Sequence, residues 1–219
     1  MINIGSEIID SQTDYHTLLE SRYLNICKNK KVLELGPGQG NYTKFIIKNN
    51  PAYLEVIEGY LPHIDDLKKI DGIDNVVFDD AMLNLQQKKS FDVVVLFGLL
   101  YHLHSPLHLL ELIVNNCNPE YLIMDSVNGP VDRPVPLEIL VGDETTNVVG
   151  NAQTRKDWRS TQLKFVVVFD IFDRALKNLG YTRIQHHQLQ IDGYVPKSKS
   201  WLALWKLNDL QETKNDKSI

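Results

Sequence analysis

Short runs of Val, Ile and Leu alternate along the chain with longer stretches whose apolar residues recur at helical spacing. The first pattern marks strands buried on both faces, and the second marks amphipathic helices. Strands are predicted at 31–36 (KVLELG), 53–59 (YLEVIEG), 75–80 (NVVFDD), 91–98 (FDVVVLFG) and 121–127 (YLIMDSV). Helices are predicted near 41–49, 62–70 and 105–117. Strand and helix in regular alternation predict βαβ units, hence an α/β fold with a mostly parallel sheet and helices on both faces.

The two ends depart from this pattern. Leu18, Leu19, Tyr23, Leu24 and Cys27 share one helical face, so an extra helix is expected before the first strand. Beyond Ser126 comes an irregular stretch, NGPVDRPVPLEILVGDETTNVVGNAQTRKDW, too long for an ordinary connection and expected to act as a lid or substrate loop. Phe169, Phe172, Leu176 and Leu179 then lie on one face of a helix stopped by Gly180, followed by strands at 182–191 and 200–207. These bring the strand count to seven. The organisation predicted is one domain over 1–208, with 1–30 as a helical cap, 128–162 as the lid, and 209–219 as a polar tail.

Composition narrows the function classes. The chain has 219 residues, 43% of them hydrophobic, which suits a single full-sized core. No apolar run approaches the roughly 20 residues of a membrane span, and the N-terminus lacks a basic region leading into an apolar signal core. A soluble, cytoplasmic protein, monomeric or homodimeric, is the expectation. The net charge of -5 with dispersed Lys and Arg is not the footprint of a protein that grips many phosphates. Cys27 and Cys117 sit in apolar helical patterns and read as buried free thiols; with no metal-ligand spacing among Cys and His, no metal is expected.

The candidate chemistry gathers at the ends of the strands. The first strand runs into Glu34-x-Gly36-x-Gly38-x-Gly40, a turn that lets a ligand approach backbone. Asn41 stands where the dinucleotide fingerprint has its last glycine, and no Gly-Lys-Ser/Thr is present, so a pyrophosphate or triphosphate loop is disfavoured. Glu58 ends the second strand, where a carboxylate can accept both hydroxyls of a ribose, and Asp80 closes the third. In an open parallel sheet these ends face one crevice, which places Gly36, Glu58, Asp80 and Gly98 in a single site.

These residues resemble the class I S-adenosylmethionine-dependent methyltransferases. VLELGPGQG, VIEG, FDDA and FDVVVLFGLLYHL are similar to that superfamily's first four motifs, over roughly residues 31–127. The resemblance implies a Rossmann-like fold and S-adenosylmethionine as cofactor, with S-adenosylhomocysteine as product. It implies that Glu34, Gly36, Gly38 and Gly40 line the cofactor's methionine and ribose, and that Glu58 binds the ribose diol. Asp80, with Asp79 beside it, accepts from the adenine amino group, Ala81 offers its N–H to the ring, and the carbonyl of Phe97 or Gly98 meets the methionine ammonium. Relatives often carry a bulky apolar residue after the acidic one, to stack on adenine; here Gly59 follows, and Tyr60 or Leu61 is the candidate for that role.

Methyl transfer from a sulfonium needs alignment above all, with a base where the acceptor is a hydroxyl or a protonated amine. Tyr101, His102 and His104, just past the fourth strand, are the catalytic candidates, with His102 foremost. His63, His108, His186 and His187 are assigned surface or core roles. Asp125, Ser126, Trp158 and Arg159 are the candidate substrate contacts, with Asp143, Glu144 and Arg155 also within the loop's reach. The expected partner is a small-molecule acceptor methylated at oxygen or nitrogen. GLLYHLHSPLHLL also resembles a segment of the bacterial tRNA wobble-uridine carboxymethyltransferases, which keeps RNA modification as the second substrate class. A catalytically silent methyltransferase-like subunit is the third alternative.

Overall fold

Two-sided burial of the central strands organises the molecule. A computed structural model describes residues 8–9, 12–127, 137–141, 163–167, 169–189 and 200–208. In chain order the strands are β1 (Ile8–Ile9), β2 (Lys31–Leu35), β3 (Tyr53–Glu58), β4 (Asn75–Phe78), β5 (Val93–Leu96), β6 (Tyr121–Val127), β7 (Leu137–Val141), β8 (Leu163–Val167), β9 (Tyr181–Leu189) and β10 (Ser200–Leu207). The α-helices are α1 (Gln12–Leu18), α2 (Thr43–Lys48), α3 (Leu61–Leu67), α4 (Ala81–Asn84), α5 (Pro106–Cys117) and α6 (Phe169–Asn178).

All seven predicted strands join one sheet, in the order β1-β9-β10-β6-β5-β2-β3-β4. β6, β5, β2, β3 and β4 are mutually parallel, and β10 inserts antiparallel between β6 and β9. From β2 the chain winds outward through β3 to β4, then returns to β5 on the other side of β2. The order reverses there, and a crevice opens above the carboxyl ends of β2 and β5.

Successive side chains of these strands feed opposite cores. Leu33, Leu35, Val94, Leu96, Leu122, Met124, Trp201 and Trp205 pack under α5 and α6. Val32, Val93, Val95, Val56, Ile123, Leu202 and Leu204 pack under the N-terminal helical segment, α2 and α3. α5 starts with Pro106 in its first turn and ends at Asn118, whose left-handed φ of 45° lets its N–H reach the carbonyls of Ile113 and Val114. Cys27 and Cys117 are buried free thiols.

The structure departs from the sequence pattern in four places. The N-terminal helix is segmented: after α1 a π-helical turn covers Leu19–Tyr23 and a 3₁₀ turn covers Leu24–Cys27. The apolar face predicted there is intact, with Leu18, Leu19, Tyr23, Leu24 and Cys27 all buried. β4, read as buried on both faces, is the edge of the sheet, and Asn75 and Phe78 are exposed. β1 adds a two-residue strand at the opposite edge, parallel to β9. Finally, β7 and β8 pair antiparallel in a separate two-stranded sheet, so the insertion carries regular structure, and the stretch before α6 is strand. Among the described residues no helix is long and apolar enough to cross a membrane.

Candidate functional site

The crevice floor is the turn after β2. Gly36, Gly38 and Gly40 all have positive φ, of 67°, 58° and 77°, a conformation that side chains with a Cβ rarely adopt. They differ in what surrounds them. A Cβ on Gly40 would lie 2.4 Å from Ile70 Cδ1, and one on Gly36 would lie 2.9 Å from Leu99 Cδ1, so these two glycines also permit close packing. A Cβ on Gly38 would meet nothing nearer than the His63 ring at 4.0 Å, so its backbone borders open space that a ligand can use.

Glu58, at the end of β3, is buried, and both its carboxylate oxygens accept backbone hydrogen bonds: Oε2 from the Gly38 N–H at 2.9 Å and Oε1 from the Tyr60 N–H at 2.7 Å. Burial raises its pKa, and these N–H donors oppose the shift. Each oxygen keeps a second lone pair, which is what a vicinal diol requires. His63, assigned to the surface or core from sequence, faces this carboxylate. Its Nδ1 lies 4.0 Å from Glu58 Oε2, is buried and has no hydrogen-bond partner among the described residues, and its ring crosses that of Tyr60 edge-on at 4.6 Å. The signal for it was Pro62, which marks the first turn of α3 and so places His63 in that turn, just past Glu58.

Glu34 lies beneath the turn, 1% exposed, and accepts the Thr43 hydroxyl hydrogen bond at 2.7 Å. Desolvation raises its pKa to about 7 against the Thr43 hydrogen bond, with the nearby Glu58 adding to the rise. The folded chain therefore holds this proton more tightly than the unfolded chain does. The contribution favours folding below the ordinary carboxylate value of 4.5 and is lost as pH rises through about 7. Ligand-free protein is expected to lose about 3 kcal/mol over that interval from this group. Thermal unfolding followed from about pH 5 to about pH 8 should show a falling Tm, and Glu34→Gln should flatten the profile, leaving the smaller slopes of Glu58 and Asp125. A mutant profile as steep as wild type would refute the assignment.

On the β4 side of the crevice, Asp80 caps α4: its Oδ1 accepts from the Met82 and Leu83 N–H groups at 2.8 and 3.1 Å, which leaves Oδ2 and the N–H of Ala81 at the head of the helix. Asp79 faces its own neighbourhood, accepting from the Asp80 N–H and the Asn84 amide. Gly59 has no positive φ, and a Cβ there would touch only the Asp79 carbonyl at 3.6 Å, so no backbone constraint demands glycine. Tyr60 is half-buried and N-caps α3, whereas Leu61 is 55% exposed.

On the other side of the crevice, Gly98 follows β5 with a φ of 66°, and its N–H donates to Asp125 Oδ1 at 2.5 Å. Asp125 Oδ2 accepts from the Tyr15 hydroxyl at 2.6 Å. Both oxygens of this predicted substrate contact thus have partners within the chain. Burial raises Asp125 to about 6 against these two hydrogen bonds, and burial raises Tyr15 well above the ordinary phenol value. Phe97 is buried and its ring packs on Tyr42 at 5.2 Å.

Just beyond Gly98 the chain makes a 3₁₀ turn over Leu100–His102. The Tyr101 hydroxyl lies 3.3 Å from where a Cβ on Gly98 would stand, so it borders the crevice, and the His102 ring leans on Tyr101 at 4.3 Å. His104 is exposed, and Ser105 holds the N-cap position of α5. Ser126 is buried and pairs with Trp201 across β6 and β10. β8, which pairs with β7, runs beside the Leu100–His102 turn. Asp143, Glu144, Arg155, Trp158 and Arg159 lie outside the described residues.

The site fits the cofactor that the motifs imply. An open left-handed glycine after β2, a buried carboxylate that ends β3 with lone pairs to spare, and a capped helix head after β4 succeed one another at the carboxyl end of the sheet beside the switch point.

Known proteins share this fold. The chain is 27% identical over 124 residues to a tRNA U34 carboxymethyltransferase of Desulfotalea psychrophila, a match covering 53% of this chain and 38% of that protein. The chain thus spans well under half the length of this curated relative. Its fold is that of the N-methyltransferase NodS from Bradyrhizobium japonicum WM9, with a TM-score of 0.59 at 18% identity over 90% of this chain and 97% of that one. A magnesium protoporphyrin IX methyltransferase from Synechocystis PCC 6803, solved with bound S-adenosylmethionine, gives a TM-score of 0.60 at 8% identity over 90% of this chain and 81% of that one. The family model described as a methyltransferase domain matches residues 12–191. With the strand order, the glycine turn and the paired acids already in place, the chain belongs to the methyltransferase-domain family, on the class I S-adenosylmethionine-dependent fold.

Proposed function

We propose that this protein transfers a methyl group from S-adenosylmethionine to an oxygen or nitrogen of a small-molecule acceptor. When bound, the cofactor supplies a methyl group already activated on a sulfonium, so the chain's task is to bind, align and deprotonate. Glu58 holds the ribose hydroxyls, Asp80 and Ala81 hold the adenine edge, and the Phe97 carbonyl receives the ammonium. His102 takes the proton from the acceptor atom, and Tyr101 lies between it and Gly98.

The observation that carries the small-molecule assignment is the course of β8 beside the Leu100–His102 turn, which adds a strand next to the acceptor side. A strand at that edge narrows the approach for a folded RNA more than for a small acceptor. The net charge of -5 supports the same choice. RNA modification is the second reading, favoured by the likeness to the tRNA U34 carboxymethyltransferase.

The test is transfer of labelled methyl from S-adenosylmethionine to small hydroxyl and amine acceptors and, in parallel, to bulk tRNA. Label found only in tRNA would overturn the small-molecule assignment. Label in no acceptor, from protein that binds the cofactor, would favour a silent subunit. With an acceptor in hand, His102→Ala is expected to lower kcat about a hundredfold, the lower range for a general base, without changing affinity for S-adenosylhomocysteine. An unchanged kcat would return His102 to packing.

A further inference from the structure

Among the described residues, the Phe97–Gly98 peptide is held from one side. Its N–H donates to Asp125 Oδ1 on β6, and in a planar trans peptide the carbonyl points the opposite way. β5 lies between β6 and β2, so the Phe97 carbonyl is aimed across the crevice towards the glycine turn that follows β2. None of the turn and loop backbone hydrogen bonds among the described residues ends on that carbonyl.

Asp125 is itself fixed from the N-terminal segment. Tyr15, on α1, is 1% exposed and donates its hydroxyl to Asp125 Oδ2. Its ring packs edge-on against Tyr42 at 5.9 Å, and Tyr42 packs on Phe97. Tyr15 and the Gly98 N–H thus both donate to Asp125, one to each oxygen, so the carboxylate is fixed from two sides and its negative charge behind the Phe97–Gly98 peptide makes the Phe97 carbonyl oxygen more negative.

We infer that Tyr15 and Asp125 are positioning residues for the cofactor's amino-acid end: Asp125 orients and polarises the Phe97 carbonyl towards the methionine ammonium, and Tyr15 holds Asp125 in place, which couples docking of the N-terminal helix to cofactor binding. The inference rests on the cofactor assignment above and assigns Asp125 to the cofactor side of the site.

Two ligands separate this role from a merely structural one. S-adenosylhomocysteine carries the ammonium; 5′-methylthioadenosine has the same adenosine and sulfur without the amino-acid end. Calorimetric titration of the full chain is expected to show Tyr15→Phe, which keeps the ring and its packing, weakening S-adenosylhomocysteine about five- to tenfold while 5′-methylthioadenosine binding stays within about twofold. Asp125→Asn, which keeps an acceptor for the Gly98 N–H but loses the charge, is expected to show the same selectivity. Equal weakening of both ligands would mean general loosening of the fold and would overturn the inference, as would unchanged affinity for S-adenosylhomocysteine in both variants. Wild-type protein that binds neither ligand would overturn the cofactor assignment first, and the inference with it.

Discussion

Glu58→Ala is expected to weaken S-adenosylhomocysteine binding about a hundredfold, from the loss of two hydrogen bonds to a charged group and of the geometry it imposes on the turn. The side chain works in both directions. In the proposed role it offers the lone pairs a ribose diol needs, and towards the chain it holds the N–H groups of Gly38 and Tyr60 at 2.9 and 2.7 Å. Removing it leaves both donors without their acceptor, so the open glycine that lets the ligand approach is no longer held in place. Calorimetric titration measures the loss directly, with NAD as a control ligand. Glu58→Gln separates the contributions, since its one carbonyl oxygen can retain a single backbone donor and a single ribose hydroxyl; an intermediate affinity is expected. Alanine-mutant affinity within about threefold of wild type would remove Glu58 from the site.

The largest expected effect on stability comes from Gly40→Ala. At a φ of 77° an alanine pays for the left-handed conformation, and its Cβ would stand 2.4 Å from Ile70 Cδ1 and 3.2 Å from Leu67 Cδ2. Leu67 is fully buried, so it cannot yield without disturbing the core beneath α2 and α3. Conformational strain of about 1–2 kcal/mol plus overpacking of about 1–3 kcal/mol predicts a loss near 3 kcal/mol. For a chain of this length that lowers Tm by about 6–12 °C. Gly59→Ala is the matched control: it lies in the same crevice without positive φ, its Cβ would make only an ordinary contact with the Asp79 carbonyl at 3.6 Å, and its Tm should stay within about 2 °C of wild type. If both substitutions lower Tm alike, the steric account of the turn is wrong.

Much of this was legible in the sequence, for reasons that differ by element. β2, β3, β5 and β6 were readable because central parallel strands are buried on both faces, and such burial writes itself as an unbroken apolar run. α5 was readable because Pro106 and Asn118 punctuate its ends. The glycine turn and Glu58 were readable because a tight strand-to-helix turn and a strand-end carboxylate are local features at fixed spacing. Other elements left weaker local traces. Two residues of β1 carry no periodicity, and β7 and β8 look like loop and helix approach until they meet. Asp80 was read for its ligand role, while its cap on the short α4 shows only in three dimensions.

The sequence by itself determined the succession of the seven predicted strands and the positions of the glycine turn and of the carboxylates at the strand ends, because apolar periodicity, turn chemistry and motif spacing act over a few neighbouring residues. Tertiary structure alone decided which strand lies at the sheet edge, that His63 faces Glu58, and that Asp125 joins Tyr15 across 110 positions of chain to fix the Phe97–Gly98 peptide. A buried carboxylate takes whichever donors the packed elements bring within about 3 Å, and no local pattern records where a distant helix will dock.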